Sequence, residues 1–229
     1  MNPSENLRHR SDLSPYLFHF TKDRKGVDAR VVIQSIVDEM KLKSESGYIC
    51  FTEQPLIMCE EMFAYFNKFP KPMYRPYGIG IKRDLLYKMG ARNVIYGTRD
   101  EGLALPDTFQ WRFLELDVDR YDYSWLREWR YPGSELDFSR FGSDNVIVIT
   151  PSKAEEVLAF TPDYDVDFDY DSESKTASPH VYVSGASRSW RSINFDRVKK
   201  HQMNDYMVDA STFFEQSIGE DFDHWVETN

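Results

Sequence analysis

Three short segments carry residue types that could perform chemistry, and the first lies near the start of the chain. His19 and Thr21 stand two positions apart in the aromatic run YLFHFTK. Alternate residues of a strand share a face, so this pair would lie on one face and the aromatic residues would pack on the other. An imidazole beside a hydroxyl can bind a ligand, but it is also a common internal hydrogen-bonding pair.

The second segment is REWRYP, which contains a glutamate among bulky neighbours. If Trp125 to Tyr131 form a strand, Glu128 and Arg130 share one face with Leu126. Glu128 is a candidate catalytic carboxylate. The alternative is an ion pair on an exposed strand, which contributes about 0 to 1 kcal/mol to stability.

The third segment, GYICFTEQPLIMCEEMFAYF, predicts a strand that ends in polar residues and leads into a helix. The helix carries Phe63 and Tyr65, whose rings could stack on a flat ligand, although helical aromatic residues are usually part of the core. Glu53 could serve as a second acid or could favour the dipole of the helix that follows it.

Other catalytic and binding templates are missing from the sequence. It has no GxxxxGK, GxSxG or HExxH motif, and YGIGIK lacks the third glycine of a dinucleotide-binding loop. The five histidines are scattered and the two cysteines are Cys50 and Cys59, so we expect neither a metal site nor a disulfide framework.

The charge and hydropathy of the chain narrow its partners. The net charge is -10, and the residues after 160 carry 6 Lys+Arg against 14 Asp+Glu. This balance argues against general affinity for polyanions, because such binding needs basic residues. The apolar runs are far shorter than the roughly 20 residues of a membrane helix, so we expect a cytoplasmic protein in a reducing compartment.

The elements that must position these residues mix strands and helices without regular alternation, which predicts an α+β fold. Asp28 is the predicted N-cap of one helix, and Ser152 with Glu155 forms a capping-box pattern for another. The acidic segment 162–175 is interpreted as a linker or an edge segment, with a solvated connection favoured and a phosphate-mimicking lid as the alternative. We therefore predict a domain at 1–160 and, at 161–229, an acidic linker and C-terminal appendage that docks on the core.

Taken together, the three segments resemble the histidine, tyrosine and glutamate motifs of the ADP-ribosyltransferase fold. HFT resembles the H-x-T of DarT-type toxins, GYICFTE resembles a conserved stretch of poly-ADP-ribose polymerases, and REWRYP resembles the glutamate strand of DarT-type enzymes. The opening is also similar to the AbiGi-like abortive-infection family of phage defence. The resemblance covers residues 14–150 and implies a split mixed or antiparallel sheet flanked by helices.

The resemblance also implies a mechanism with NAD+ as substrate and no metal. His19 would bind the adenosine ribose, and the nicotinamide would lie near the Phe20 backbone and Thr21, stacked on Phe63 or Tyr65. Glu128 would stabilise the cation that forms as the glycosidic bond breaks. Arg75 or Arg83 would hold the pyrophosphate, and the sequence does not choose between them.

Arginine-modifying toxins carry a second acid two residues before the catalytic glutamate, where this chain has Leu126. The resemblance therefore implies a mono-ADP-ribosyltransferase toxin of an anti-phage system that modifies nucleic acid, with RNA favoured over DNA, and that has an antitoxin or chaperone as protein partner. Two alternatives stay open. One is a non-catalytic antitoxin or immunity protein on the same fold, and the other is a nuclease or phosphotransferase that uses His19 and Glu128 as acid and base.

Overall fold

The computed structural model describes residues 13–120, 122–171 and 175–204. The strands in this part of the chain are β1 (Tyr16–Phe20), β2 (Lys41–Lys43), β3 (Tyr48–Thr52), β4 (Gly78–Lys82), β5 (Arg92–Asn93), β6 (Ile95–Gly97), β7 (Phe113–Glu115), β8 (Glu128–Pro132), β9 (Glu135–Asp137), β10 (Val146–Thr150), β11 (Phe160–Asp171), β12 (Thr176–Ser189) and β13 (Arg191–Asn194). The helices are α1 (Ala29–Glu39), α2 (Leu56–Phe66), α3 (Arg83–Lys88), α4 (Arg99–Ala104), α5 (Asp107–Gln110) and α6 (Phe195–Asn204), with 3₁₀ turns at Ser124–Leu126, Ser143–Asn145 and Lys153–Ala159.

The centre of the fold is a seven-stranded sheet in the order β13-β10-β4-β1-β3-β8-β5. Its pairs are antiparallel except for β10 with β13. The prediction of a mixed fold with a mostly antiparallel sheet flanked by helices is therefore confirmed. Strands β1 and β3 pair at one position, Phe18 with Thr52. The ladder between these two strands is therefore the shortest in the central sheet.

Each face of the sheet is covered by a separate hydrophobic core. The first core joins Leu17 of β1 to α1 and α3 through Ile33, Val37 and Leu86. The second core joins Phe18 and Phe20 to the buried side of α2 and to α6. The face that was expected to present His19 and Thr21 is thus also a core face.

The helix and strand patterns of the first half are largely confirmed. The side chain of Asp28 accepts a hydrogen bond from the backbone N–H of Arg30 and caps α1. Helix α2 buries the five side chains that its spacing predicts, which are Leu56, Cys59, Met62, Phe63 and Phe66. Amphipathic spacing decides the orientation of both helices, because burial of one apolar face is what stabilises a helix in a protein.

The two glycines of YGIGIK make room for aromatic rings rather than for a phosphate. A Cβ on Gly80 would lie 2.9 Å from the ring of Phe18, and a Cβ on Gly78 would lie 2.8 Å from the ring of Phe20. Both rings cross directly over β4, whose residues Gly78 and Gly80 pair with Phe20 and Phe18. Glycine at these positions follows from packing.

Two local predictions need correction. The strand expected from Trp125 begins only at Glu128, because Ser124–Leu126 form a 3₁₀ turn and Arg127 has a positive φ of 48°. The helix expected after Ser152 is a 3₁₀ segment, and Glu155 binds Arg30 on α1 at 2.6 Å instead of closing a capping box. In both places a tertiary contact overrides the local pattern.

The acidic segment expected to be a linker belongs to a β-ribbon. Strand β11 pairs with β12 in antiparallel register from Phe160 with Ser189 to Asp171 with Thr176. Acidic residues alternate with aromatic or aliphatic ones in this segment, and this two-residue period is typical of a strand. Repulsion between the like charges had been expected to keep the segment from forming one.

The boundary expected at residue 160 does not separate two bodies. Strand β13 joins the central sheet beside β10, and α6 packs on the second core. Residues beyond 160 therefore complete the body, with Trp190, Ile193, Phe195 and Val198 buried. The predicted docking of the terminal tail concerns residues 205–229, which lie outside the described part of the chain.

Candidate functional site

Glu128 opens β8 and is positioned by the turn that precedes it. The left-handed Arg127 bends the chain out of its 3₁₀ turn, and the backbone oxygen of Arg127 accepts from the N–H of Glu53 at 3.2 Å. The register pairs Glu128 with Thr52, which pairs in turn with Phe18. Paired residues of an antiparallel sheet share a face, so Glu128 lies on the face of the second core.

The carboxylate of Glu128 forms an ion pair with Arg130. Oε1 of Glu128 lies 2.7 Å from Nε of Arg130, and the two side chains are 15% and 6% exposed. Nη1 of Arg130 donates to the backbone oxygens of Trp111 and Phe113, at 2.7 and 3.0 Å. The ion pair that was the alternative interpretation of Glu128 is therefore present, but it is largely buried rather than exposed. Its arginine also binds the backbone at the start of β7.

Cys50 lies directly opposite Arg130 on β3, within hydrogen-bonding reach of Glu128. Burial, together with the negative charge of Glu128, raises the pKa of the Cys50 thiol to about 12. The thiolate is the nucleophilic form of cysteine. Cys50 is therefore held as a protonated thiol at neutral pH and does not supply a nucleophile.

Aromatic side chains surround the Glu128 ion pair. The backbone N–H of Glu128 donates to the hydroxyl of Tyr96 at 3.2 Å. Burial raises the pKa of the Tyr74 phenol, and the charge of Glu128 adds to this shift. The ring of Trp125 lies 5.7 Å from that of Tyr65 and 6.1 Å from that of Phe66. Glu128 thus stands beside an aromatic cluster on one face of the sheet.

His19 lies on the opposite face. Its ring contacts Phe51 edge to face at 5.9 Å, and Phe51 pairs with Trp129 in the first core. Nδ1 of His19 lies 2.8 Å from the backbone oxygen of Cys50, which assigns the proton of the neutral ring to Nδ1 because a carbonyl can only accept. Burial lowers the pKa of His19, against a smaller raising effect of this hydrogen bond. The structure does not bring His19 and Glu128 into one cleft.

The rings of Phe20 and Phe63 lie in the core, as was expected of the Phe20 ring, since only the backbone of Phe20 was predicted to lie near the nicotinamide. The ring of Phe20 packs against Phe63 at 5.0 Å and against Phe195 at 6.4 Å. The ring of Phe63 also lies edge to face with Phe195, at 5.2 Å. Both side chains are buried. The alternative weighed for helical aromatic residues, that they fill the core, therefore describes Phe63.

Thr21 uses its polar groups within the protein. Its hydroxyl lies 3.1 Å from the backbone oxygen of Tyr77 and 3.4 Å from that of Ala29, and its side chain is buried. Its backbone N–H donates to Tyr77 and its backbone oxygen accepts from Arg75. These contacts join the end of β1 to the loop before β4, which is a structural role.

Tyr65 is a predicted ligand-stacking residue that stays exposed, on the outer side of α2 and away from Phe63. Its ring contacts that of Trp125 at 5.7 Å, and Trp125 precedes Glu128 by three residues in the chain. Tyr65 thus contacts the segment that leads to Glu128.

The remaining charged candidates are engaged in ion pairs. Glu53 is buried, with Oε1 at 2.7 Å from Nη1 of Arg83 and Oε2 at 3.0 Å from Nε1 of Trp129. Arg75 binds Asp23 at 2.7 Å and also donates to Asn67. Arg75 and Arg83 are thus both paired with carboxylates other than Glu128. These contacts do not favour either arginine as the one that would bind a pyrophosphate.

The sequence analysis did not predict that Tyr74 and Tyr96 lie near Glu128, or that Arg130 binds the backbone of Trp111 and Phe113. Tyr74 and Tyr96 come from loops or short strands with no periodic signal, and they reach Glu128 only through the tertiary fold. The spacing of Arg130, two residues after Glu128 in a strand, was the one signal available, and it predicted the ion pair but not its burial.

Within residues 13–120, 122–171 and 175–204, no group of three or more His, Cys, Asp or Glu side chains is arranged to hold a metal ion. The described helices include none with the length and apolar character needed to span a membrane. Comparison with protein-family models finds no match, and comparisons with curated proteins and with solved structures find none either.

Proposed function

We propose that this chain acts as a binding protein, as the antitoxin or immunity partner in a phage-defence pair, on a fold that resembles ADP-ribosyltransferases. The observation that carries the proposal is that His19 and Glu128 project from opposite faces of the central sheet. His19 contacts Phe51 on one face, and Glu128 pairs with Thr52 and binds Arg130 on the other. The resemblance of the opening segments to the AbiGi-like family supports the defence context.

The separation matters because the proposed chemistry needs both groups on one ligand. In the mechanism that the resemblance implies, one NAD+ molecule contacts the histidine at its adenosine ribose and the glutamate at its nicotinamide ribose. Catalysis by positioning requires both contacts in a single cleft with near-reactive geometry. Here the sheet itself lies between the two side chains, and Phe20, Phe63 and Thr21 are occupied by internal packing and hydrogen bonds.

The contacts of Glu128 also fit a structural role. Arg130 neutralises its charge at 2.7 Å and uses another nitrogen to hold the Trp111 and Phe113 backbone. A catalytic carboxylate that stabilises a developing cation needs its charge directed at the substrate. The buried ion pair directs that charge at an internal arginine instead.

A second candidate function is NAD+-dependent mono-ADP-ribosyl transfer. Of the predicted site residues it would use two, Glu128 as the catalytic carboxylate and Tyr65 as the stacking residue. The observation that favours it is that Tyr74 and Tyr96 lie beside a carboxylate that keeps 15% of its side-chain surface exposed, while Trp125, three residues earlier in the chain, contacts the exposed Tyr65 ring. In this candidate NAD+ binds on the face of the second core, and nucleic acid, with RNA favoured, is the acceptor.

Labelled NAD+ separates the two candidates. The purified full chain is incubated with NAD+ labelled in the adenylate moiety, together with RNA, DNA or cell lysate, alongside the Glu128→Gln and His19→Ala variants. We expect no transfer of label by any of the three proteins. Transfer by the wild type that disappears in Glu128→Gln and persists in His19→Ala would establish the second candidate and contradict the first.

A positive test of the binding function uses the tagged full chain expressed in its native host. We expect a discrete complex of fixed stoichiometry in native mass spectrometry, and the same complex with Glu128→Gln. A wild-type chain that stays free of protein partners, and that labels nucleic acid in the first experiment, would contradict the binding function.

A further inference from the structure

Helix α2 and the loop after it present an exposed apolar strip on the surface. We call this surface the α2 strip and define it as Ile57, Met58, Tyr65, Phe69 and Met73, whose exposures lie between 38% and 47%. The rings of Tyr65 and Phe69 contact each other at 5.6 Å. Isolated exposed apolar residues are ordinary, but two exposed rings in mutual contact, with further exposed apolar residues on the same helix and loop, indicate an interaction surface.

The second half of the strip lies in a basic part of the chain although the protein is acidic, whereas Glu60 and Glu61 lie between Met58 and Tyr65 on α2. From Met62 to Arg83 the sequence contains five Lys or Arg residues and no Asp or Glu, whereas the whole chain has 38 Asp+Glu in 229 residues. Lys68 and Lys71 lie between the apolar residues of the strip, and the ammonium of Lys68 lies 5.8 Å from the centre of the Tyr65 ring. The occupant that fits is apolar and acidic.

Helix α6 leads the chain to one end of this strip. Phe195, at the start of α6, contacts Phe63 at 5.2 Å, and Lys199 binds Glu60 at 2.9 Å. Later residues of α6 thus meet earlier residues of α2, so α6 runs antiparallel to α2. It ends at Asn204, and the chain continues from the end of α2 that carries Ile57 and Met58.

The sequence that follows Asn204 has the complementary composition. Residues 205–229 contain seven Asp or Glu and no Lys or Arg, with Tyr206, Phe213, Phe214, Phe222 and Trp225 among them. We propose that this C-terminal segment is the occupant of the α2 strip, and that its aromatic residues cover the exposed rings while its carboxylates meet Lys68 and Lys71.

Chain length and connectivity favour this occupant over a separate molecule. A helical rise of about 1.5 Å per residue makes the part of the strip on α2, from Ile57 to Tyr65, about 12 Å long. The 25 residues after Asn204 would span about 37 Å even as one helix, so the segment can return along the whole strip. Covalent attachment gives it an effective concentration on the order of millimolar, which a second copy reaches only at very high protein concentration.

Fluorine NMR of the full chain labelled with 5-fluorotryptophan tests the contact. The protein has five tryptophans, and the resonance of Trp225 is assigned by its loss in Trp225→Phe. We expect the Trp225 resonance of the wild type to be shielded from solvent, with a smaller H2O/D2O isotope shift than in the urea-unfolded chain. A Tyr65→Ser/Phe69→Ser double variant should restore the unfolded-chain value.

Charge and control variants make the result specific. Lys68→Glu combined with Lys71→Glu should also release Trp225, and added salt should weaken the wild-type contact because exposed charges are screened. Leu103→Ser on α4 is the matched control, since it removes an exposed apolar side chain outside the strip and should leave the resonance unchanged. Far-ultraviolet circular dichroism shows that each variant is folded.

Two outcomes overturn the proposal. The first is a wild-type Trp225 resonance with the isotope shift of the unfolded chain. The second is a shielded resonance that becomes exposed on dilution, together with a dimer in sedimentation that Tyr65→Ser/Phe69→Ser dissolves, because this assigns the strip to a second copy. Neither outcome depends on label transfer from NAD+, so the contact can fail while the binding function stands, and the reverse.

Discussion

Arg130 is the residue on which the arrangement around Glu128 depends most. Its guanidinium binds the Glu128 carboxylate and two backbone oxygens, and it lies over the ring of Tyr48 at 4.3 Å. A planar group with several fixed donors can make these contacts together, whereas a lysine could not. The functional question about Glu128 is therefore tied to a structural one, because removal of either partner leaves a buried charge.

We predict that Arg130→Met destabilises the protein by about 3 to 5 kcal/mol, since breaking a buried ion pair leaves an uncompensated charge. The free energy of unfolding in urea measures the effect. Arg75→Met is the matched control, because its ion pair with Asp23 is solvent-exposed and should contribute no more than about 1 kcal/mol. Equal losses in the two variants would contradict the structural role of Arg130.

His19 should give the protein a pH-dependent stability. Burial lowers its pKa in the folded state from the ordinary value of 6.5. The unfolded chain therefore binds a proton at this site at a pH where the folded chain does not, so stability is fully present above about 6.5 and falls as the pH drops below it. The loss cannot exceed about 1.4 kcal/mol per pH unit for one group.

Urea unfolding of the wild type and of His19→Gln between pH 5 and 8 tests this prediction, with the pH range set around the ordinary histidine pKa. We expect the stability difference between the two proteins to shrink as the pH falls, because the variant lacks the titrating group. A wild-type advantage that grows toward low pH would mean that the pKa is raised, and would reverse the sign.

At the scale of elements, β4 shows how a strand is selected by its neighbours. Glycine is intrinsically unfavourable in a strand, yet two glycines occupy the middle of a seven-stranded sheet because Phe18 and Phe20 lie directly over them. The aromatic run that opens the chain and the glycine pattern of β4 are two halves of one packing arrangement.

We predict that Gly80→Ala costs about 1 to 3 kcal/mol, since the added methyl would lie 2.9 Å from the Phe18 ring and overpacks the core. Phe18→Leu should recover part of the loss when combined with Gly80→Ala. Gly142→Ala provides the control, because its nearest neighbour to a new Cβ is 3.5 Å away. Thermal unfolding of the wild type, Gly80→Ala, Phe18→Leu, their double variant and the Gly142→Ala control decides whether the two sites are coupled.

At the scale of the whole molecule, residues on both sides of the ribbon form one body. The backbone N–H of Trp190 donates to the oxygen of Ala159 at 3.0 Å, so the ribbon leaves and re-enters the body at the same point. Trp190 then adds its side chain to the first core, and β13 and α6 add Ile193, Phe195 and Val198 to the second core. The ribbon is an insertion, whereas the segment after it is part of the fold.

Two deletions should therefore behave differently. Replacement of residues 161–188 by a short glycine-rich turn should leave a cooperatively unfolding protein, because the flanking ends are already hydrogen-bonded to each other. A chain that stops at residue 160 should lose cooperative unfolding, because it lacks β13 and the side chains of Trp190 and Phe195. Cooperative unfolding of the shorter chain in urea would restore the predicted boundary.

The sequence by itself determined the features that depend on local periodicity. The cap at Asp28, the buried side of α2 and most strands of the central sheet follow from spacing over a few residues, where burial of an apolar face decides the conformation. The pairing of Glu128 with Arg130 is of the same kind, because residues two apart in a strand share a face.

Only the tertiary structure decided which distant residues meet. Phe18, Thr52 and Glu128 come together because of the strand order β1-β3-β8 and its register, and a shift of one residue would move every side chain to the other face. No local pattern encodes that register, and the shared cleft of His19 and Glu128 that the resemblance implied did not follow. Nonlocal pairing likewise decided that β13 is an edge strand of the central sheet and that the acidic segment is a strand.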